Sequence, residues 1–182
     1  MALKGKTVAI FIDFTYEDLE VMYPKLRLEE EGATIKIIGV HPAGTKYTGK
    51  YGYPCPSDHS VGDVDVVAMD ALVIPGGFAP DFMRRSKPML DAIAGMLAAG
   101  KPVASICHGP WMFCSARMPD GAPVVKGKRF TCFHSIKDDV INAGGIFEDA
   151  PVVIDGSMIT SRTPNDLTQF CQAIIAAMKQ GC

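Results

Sequence analysis

Residues 100–111 read GKPVASICHGPW, and this stretch decides the fold. Residues 102–106 are small or apolar with no polar alternation, as expected of a strand covered on both faces in a parallel sheet. Gly100 closes a helical pattern over 87–99. Before that helix lies a second buried run, 71–74, ending in the turn Pro75-Gly76-Gly77. Strand, turn, helix, strand is the βαβ pattern of a parallel α/β sheet.

The same rhythm extends outward. Residues 7–12 (TVAIFI) form an unbroken apolar strand. Residues 17–31 suit an amphipathic helix, with Leu19, Met22, Tyr23 and Leu26 as its inner face, Lys25, Arg27, Glu29 and Glu30 outside, and Gly32 as its C-terminal cap. Pro24 within it implies a kink or a late start. A strand over 34–40 and a hairpin or loop over 49–56 follow. Beyond Cys107 the pattern predicts a short helix to Met118, a strand near Phe130, a helix over 137–143 and strands near 152–154 and 158–160. A last helix runs to about Lys179, with Thr163 as N-cap, Pro164 first and Asp166 three residues after the cap. No repeat, low-complexity tract or linker divides the chain, so residues 1–182 are taken as one domain.

Of the 182 residues, 48% are hydrophobic and 21% charged, enough apolar material for one full core. The formal charge of -2 arises from 18 basic and 20 acidic residues spread along the chain, so there is no footprint of a nucleic-acid or membrane-surface binder, and small partners are expected. Asp13 breaks the first apolar run too early for a secretory leader, and no stretch reaches membrane-span length. The six cysteines, in a chain with core enough not to need stapling, point to a reducing, cytoplasmic setting. No metal or cofactor framework is expected. Cys55 and His59, four apart in a Pro-rich loop, lack further ligands, while Cys114 and Cys171 at apolar helical spacing, and the terminal Cys182, are assigned no chemistry.

Cys107 falls between a buried parallel strand and the helix after it, the position of a nucleophile elbow. In an open parallel sheet ligands sit outside the carboxyl ends of the strands. A helix N-terminus behind the sulfur favours thiolate and any oxyanion formed beside it. Gly109 relieves crowding at the sharp turn and Pro110 suits the first helical turn. A cysteine that only fills a core needs neither these residues nor His108. Adjacent residues on a helix do not face each other, so the His108 imidazole meets the sulfur only if the elbow brings them together; otherwise it pairs with a nearby carboxylate.

Six stretches together carry a resemblance: YEDLE at 16–20 with Tyr23-Pro24, ALVIPGG at 71–77, Ala79-Pro80-Asp81, GKPVASICHGP at 100–110, IKDD at 136–139 with Asn142-Ala143-Gly144, and TSRTPNDL at 160–167. In order and spacing the chain resembles the ThiJ/PfpI family, within the class I glutamine amidotransferase-like superfamily. The resemblance implies a flavodoxin-like three-layer sandwich with a mostly parallel sheet and a reactive cysteine in strained backbone. It implies at least a homodimer. Carried onto these positions, it makes Glu17 the acid that hydrogen-bonds the Cys107 sulfur, and gives the backbone N–H groups of Gly77 and His108 the oxyanion hole. In a peptidase version Asp81 of a neighbouring subunit completes His108, where several peptidase-type members carry Glu. Phe133 and His134 depart from the Tyr or His, and the Pro, common at their positions. Gly76, Gly77, Trp111 and His134 are the candidate substrate contacts, with Phe78 and Met112 flanking the motif.

Three functions follow. One is a glutathione-independent glyoxalase or deglycase acting on small aldehydes such as methylglyoxal or on glycated substrates, with Cys107 as nucleophile and Glu17, with His108, moving protons. The second is an intracellular cysteine peptidase. The third is a redox-stress sensor or holdase whose Cys107 is oxidised to a sulfinic acid held by Glu17. The first asks least of the chain, needing only a small pocket with Cys, Glu and a backbone oxyanion site.

Overall fold

The computed structural model describes residues 1–179. Strand β1 (Thr7–Phe11) leads through α1 (Asp18–Glu30) to β2 (Thr34–Gly39), then to a hairpin of β3 (Lys46–Thr48) and β4 (Pro54–Pro56), and to the short β5 (His59–Ser60). Next come β6 (Ala71–Ile74), α2 (Ala79–Met83), α3 (Lys87–Ala98), β7 (Val103–Ile106) and α4 (Trp111–Ser115). The chain continues with β8 (Arg129–Phe130), α5 (Lys137–Asn142), β9 (Ile146–Phe147), β10 (Val152–Asp155), β11 (Met158–Ser161) and α6 (Leu167–Lys179).

The main sheet has the order β10-β11-β7-β6-β1-β2-β5. Only the β10–β11 pair is antiparallel. Every residue of β6 and β7 is buried, which explains why neither alternates polar with apolar residues: such strands have no solvent face to mark, and the one polar residue, Ser105, is itself buried. From β1 the chain steps one way along the sheet to β2, whereas β6 to β7 steps the other way. Right-handed crossovers therefore place α1 and α3 on opposite faces, and the strand order reverses between β1 and β6. Ligands bind at such a switch point, outside the carboxyl ends of the strands.

Helix α1 is where the expected packing fails. Its buried residues are Asp18, Glu20, Val21, Pro24 and Leu28, while Leu19 and Leu26 are 57% and 62% exposed. The helix has two apolar rows. The row that meets β2 and α6 runs through Val21, Pro24 and Leu28, which turns Glu20 inward. Leu19, Met22 and Leu26 instead line a groove of about 810 Å³ with residues 51–56. Pro24 sits inside the helix without ending it.

Three smaller differences matter. Helix α4 stops at Ser115, not Met118, because Ala116 is extended at ψ 140°. The short α2 after the Pro-Gly-Gly turn is a feature the sequence reading passed over. Thr163 makes no side-chain cap; a 3-10 turn, Pro164–Asp166, precedes α6, and Asp166 pairs with Arg162 at 3.1 Å. Among the described residues no helix is long and apolar enough to cross a membrane. Cys55 and His59 lie on different strands, and no group of three or more His, Cys, Asp or Glu that could hold a metal gathers among the described residues. Cys182 lies outside the described residues.

Candidate active site

Cys107 has φ 60°, a left-handed conformation that costs a non-glycine residue about 1–3 kcal/mol unless its surroundings hold it. Here they do. Its N–H donates to the Ser161 carbonyl at the end of β11 (3.0 Å), its carbonyl accepts from Phe133 N–H (2.9 Å), and the Gly109 N–H reaches back to Ile106 (2.8 Å). A Cβ at Gly109 would collide with Ser105 Oγ and approach the Ile74 carbonyl to 2.7 Å, so only glycine lets the chain turn this tightly at the top of the strand.

The loop after β6 closes over the sulfur from the other side. Gly77 has φ 71° and pairs in a bridge with Tyr16. Its N–H and that of His108 both hydrogen-bond the Cys107 sulfur, the arrangement required of an oxyanion site. Gly76 is equally constrained. A Cβ there would sit 2.8 Å from Glu20 Oε2, 2.8 Å from the His108 nitrogen and 2.9 Å from the Cys107 Cβ.

The acid beside the nucleophile is Glu20, which corrects the expectation for Glu17. The Glu20 side chain is fully buried. Its Oε2 accepts from Gly76 N–H at 2.6 Å, and its carboxyl group is close enough to the Cys107 thiol for each to shift the titration of the other. Oε1 has no hydrogen-bond partner among the described residues. Glu17 is the N-cap of α1, and its Oε2 accepts from the Glu20 backbone N–H at 3.0 Å. It therefore holds the turn that aims Glu20 and does not reach the sulfur itself. The register of the buried row of α1 is the signal that separates the two: Glu20 falls in line with Pro24 and Leu28, four and eight residues on, whereas Glu17 precedes the helix.

Burial, with Glu17 nearby, pushes the Glu20 carboxyl up to about 8, so at neutral pH the acid holds its proton. The Cys107 thiol is also raised, by burial first and then by any charge on Glu20, against which the two N–H groups work. The pair thus titrates as a unit and takes on no more than one negative charge near neutral pH. A thiolate forms at Cys107 only while Glu20 is protonated. The five-residue α4 contributes little dipole, so the stabilising groups are the individual N–H donors rather than the helix expected from the sequence.

His108 does meet the sulfur, with Nδ1 3.2 Å from Cys107 Sγ. Its Nε2 lies 3.2 Å from Ser135 Oγ. The ring stacks on Phe133, with centroids 4.9 Å apart at 25°, and meets Trp111 edge-on at 5.5 Å. Burial lowers its basicity, as do the nearby Lys50 and His134. Among the described residues the His108 ring has no carboxylate partner. Asp81, at the start of α2, pairs with Arg85 within its own chain.

The remaining candidates divide. Trp111 is pinned by its Nε1–H to Asp139 at 2.8 Å and flanks the imidazole. His134 is exposed, with its ring 4.4 Å from Phe133, one ring farther out. Phe78 is 53% exposed, whereas Met112 is wholly buried and belongs to the core. The sequence reading missed Ser135 and Lys50. Lys50 lies in the turn held by Asp18, whose carboxylate accepts from Tyr51 and Tyr53 N–H at 2.9 Å each, and its charge acts on Glu17, Glu20 and His108.

Comparison with known proteins places the chain in a family. The chain is 40% identical over 164 residues to "Deglycase PYRAB04690" of Pyrococcus abyssi, covering 90% of this chain and 94% of that one. It is 36% identical over 175 residues to "Putative cysteine protease YraA" of Bacillus subtilis, covering 96% and 99%. A solved two-domain protein of Anabaena variabilis, with DJ-1/ThiJ/PfpI-like and ferritin-like domains, superposes with a TM-score of 0.88 at 37% identity over 94% of this chain; the chain spans about half of it (47%). The model of the DJ-1/PfpI family matches residues 6–177. Because that match runs from the residue before β1 into α6 and takes in every element that frames Cys107, the chain belongs to the DJ-1/PfpI family.

Proposed function

We propose that this protein is a cysteine-dependent glyoxalase or deglycase that converts small 2-oxoaldehydes such as methylglyoxal, free or as adducts, to hydroxy acids without glutathione. One observation supports this above all: a wholly buried Glu20, its carboxyl raised by that burial, stands beside a nucleophile whose sulfur also faces two backbone N–H donors. The Cys107 thiolate adds to the aldehyde carbon. The carbonyl π pair moves to oxygen, where the Gly77 and His108 N–H groups receive it, and a proton from Glu20 completes the hemithioacetal. Glu20, now anionic, removes the proton from the former aldehyde carbon and returns it to the neighbouring carbon through an enediol, while the hydroxyl proton passes from the former aldehyde oxygen to the neighbouring oxygen, leaving a thioester with a hydroxyl beside it. Water then cleaves the thioester, giving the hydroxy acid and restoring the thiol. Methylglyoxal plus one water equals lactic acid, so no cofactor is needed. The relatives named as deglycases point the same way.

A peptidase is the second reading. It is favoured by the Cys107–His108 contact and by the relative named as a putative cysteine protease. Purified protein assayed on methylglyoxal without glutathione, beside a fluorogenic peptide and with Cys107→Ala as control in both, separates the two. Cys107-dependent peptide cleavage without aldehyde turnover would replace the first reading with the second.

A further inference from the structure

We propose that Ser135 is the positioning residue of the nucleophile pair, orienting the His108 imidazole that takes the Cys107 proton, with all three residues in one chain. This rests on the reading of Cys107 as nucleophile, not on which electrophile it attacks.

The geometry uses both nitrogens of one ring. The φ of 60° at Cys107 swings its side chain toward that of its neighbour, giving the 3.2 Å contact from Sγ to Nδ1. On the far side of the imidazole Ser135 Oγ stands 3.2 Å from Nε2. A single short segment supplies the whole mount. The Phe133 N–H donates to the Cys107 carbonyl, the Phe133 ring lies against the imidazole, and Ser135 follows in the 3-10 turn His134–Ile136. Ring rotation is thus limited by a stacked face and by a bond at each nitrogen.

The chemistry follows from what a hydroxyl accepts. With its oxygen receiving Nε2–H, the imidazole is held in the tautomer whose Nδ1 lone pair faces the thiol. The Sγ–H proton then passes to Nδ1: the S–H bond breaks, the N–H bond forms, and the electron pair stays on sulfur. Nε2 keeps its proton throughout, so Ser135 accepts the same bond before and after transfer. The charged and titratable groups that bear on His108 are Cys107, Lys50 and His134, with Glu20 beyond the sulfur. None of them bonds Nε2.

The test is the rate of Cys107 alkylation by iodoacetamide from pH 5 to 9 in the full chain, for wild type, Ser135→Ala and Ser135→Thr. It is joined to nitrogen-detected NMR of the His108 tautomer and to thermal midpoints. Ser135→Ala is expected to slow alkylation at neutral pH by about three- to tenfold, the worth of one hydrogen bond, and to abolish the Nε2–H preference. Ser135→Thr, which keeps the hydroxyl, restores both. An alanine variant with wild-type alkylation and tautomer overturns the proposal. So does a threonine variant as impaired as alanine, or a loss on Asp81→Asn with none on Ser135→Ala, which would place the orienting group in another subunit. Alkylation needs no aldehyde, so absence of methylglyoxal turnover in wild type would sink the aldehyde reading alone.

Discussion

The Gly76 N–H lies 2.6 Å from Glu20 Oε2, so the loop after β6 and the first turn of α1 are joined through the acid that serves the nucleophile. The carboxyl group is therefore both a structural acceptor and a proton carrier, and the two roles separate by substitution. Glu20→Gln keeps an oxygen for Gly76 but cannot titrate. Turnover should fall by about a hundredfold to ten-thousandfold, the usual loss for a general acid-base, with the fold retained. Glu17→Gln keeps an acceptor for the Glu20 N–H and should cost less than about tenfold, since Glu17 acts only through the helix cap. Methylglyoxal consumption and thermal midpoints of both variants check this. A larger kinetic loss at Glu17 would return the catalytic role to it.

Gly76→Ala tests the closeness of this packing. The added Cβ would lie 2.8 Å from Glu20 Oε2 and from the His108 nitrogen, and neither belongs to a side chain free to swing away, because Glu20 is fully buried. Overpacking of this kind typically costs about 1–3 kcal/mol. The variant should show a lower thermal midpoint and a turnover loss of about a hundredfold or more, because the acid and the oxyanion donor are both displaced. Wild-type kinetics at wild-type stability would mean the loop yields freely.

The strand framework and the elbow were legible because parallel strands buried on both faces leave small or apolar runs without polar alternation, such as 71–74 and 103–106, and because Gly109 and Pro110 mark the turn. Glu20 was not. Choosing between Glu17 and Glu20 requires knowing which of two apolar rows of α1 faces the sheet, and Leu19, Met22 and Leu26 form the more regular row in sequence. Only tertiary packing against β2 and α6 selects Val21, Pro24 and Leu28. Ser135 left no trace for a different reason. Its link to His108 joins residues 27 apart, and a lone serine in a turn has many bland uses.

Stability should carry the mark of the buried acid. The Glu20 carboxyl titrates at about 8 in the fold against 4.5 in its ordinary setting. Between those values the folded chain keeps a proton that the unfolded chain has released, so the unfolded state binds fewer protons and stability falls as pH rises. The contribution is whole below about 4.5 and gone above about 8. Burial raises Asp13 and Glu17 in the same direction, so the clean measure is a difference. Wild type should lose thermal midpoint relative to Glu20→Gln from pH 4.5 to 8, and the gap should then level off. A gap that stays constant over that range would mean Glu20 ionises normally in the fold.

Oxidation should single out Cys107. The thiols of Cys55 and Cys114 are pushed up to about 11, and those of Cys132 and Cys171 to about 12, in each case chiefly by burial. None of these has a base beside it comparable to the His108 nitrogen at 3.2 Å from the Cys107 sulfur. Burial raises Cys107 further than any of these, so its selectivity rests on the adjacent base and on the smaller part of the rise, due to Glu20, which vanishes when Glu20 holds its proton, since peroxide attacks the thiolate. The sulfinate that forms finds donors in place: the Gly77 and His108 N–H groups and the Glu20 proton. Limited peroxide at pH 7 followed by peptide mass mapping should therefore show Cys107 as sulfinic acid before any other described cysteine is modified, with Glu20→Ala slowing the second oxidation step. Cys114 is the sharpest control, since it is the more exposed thiol. Its oxidation ahead of Cys107 would mean that access, not the elbow and its donors, sets reactivity in this chain.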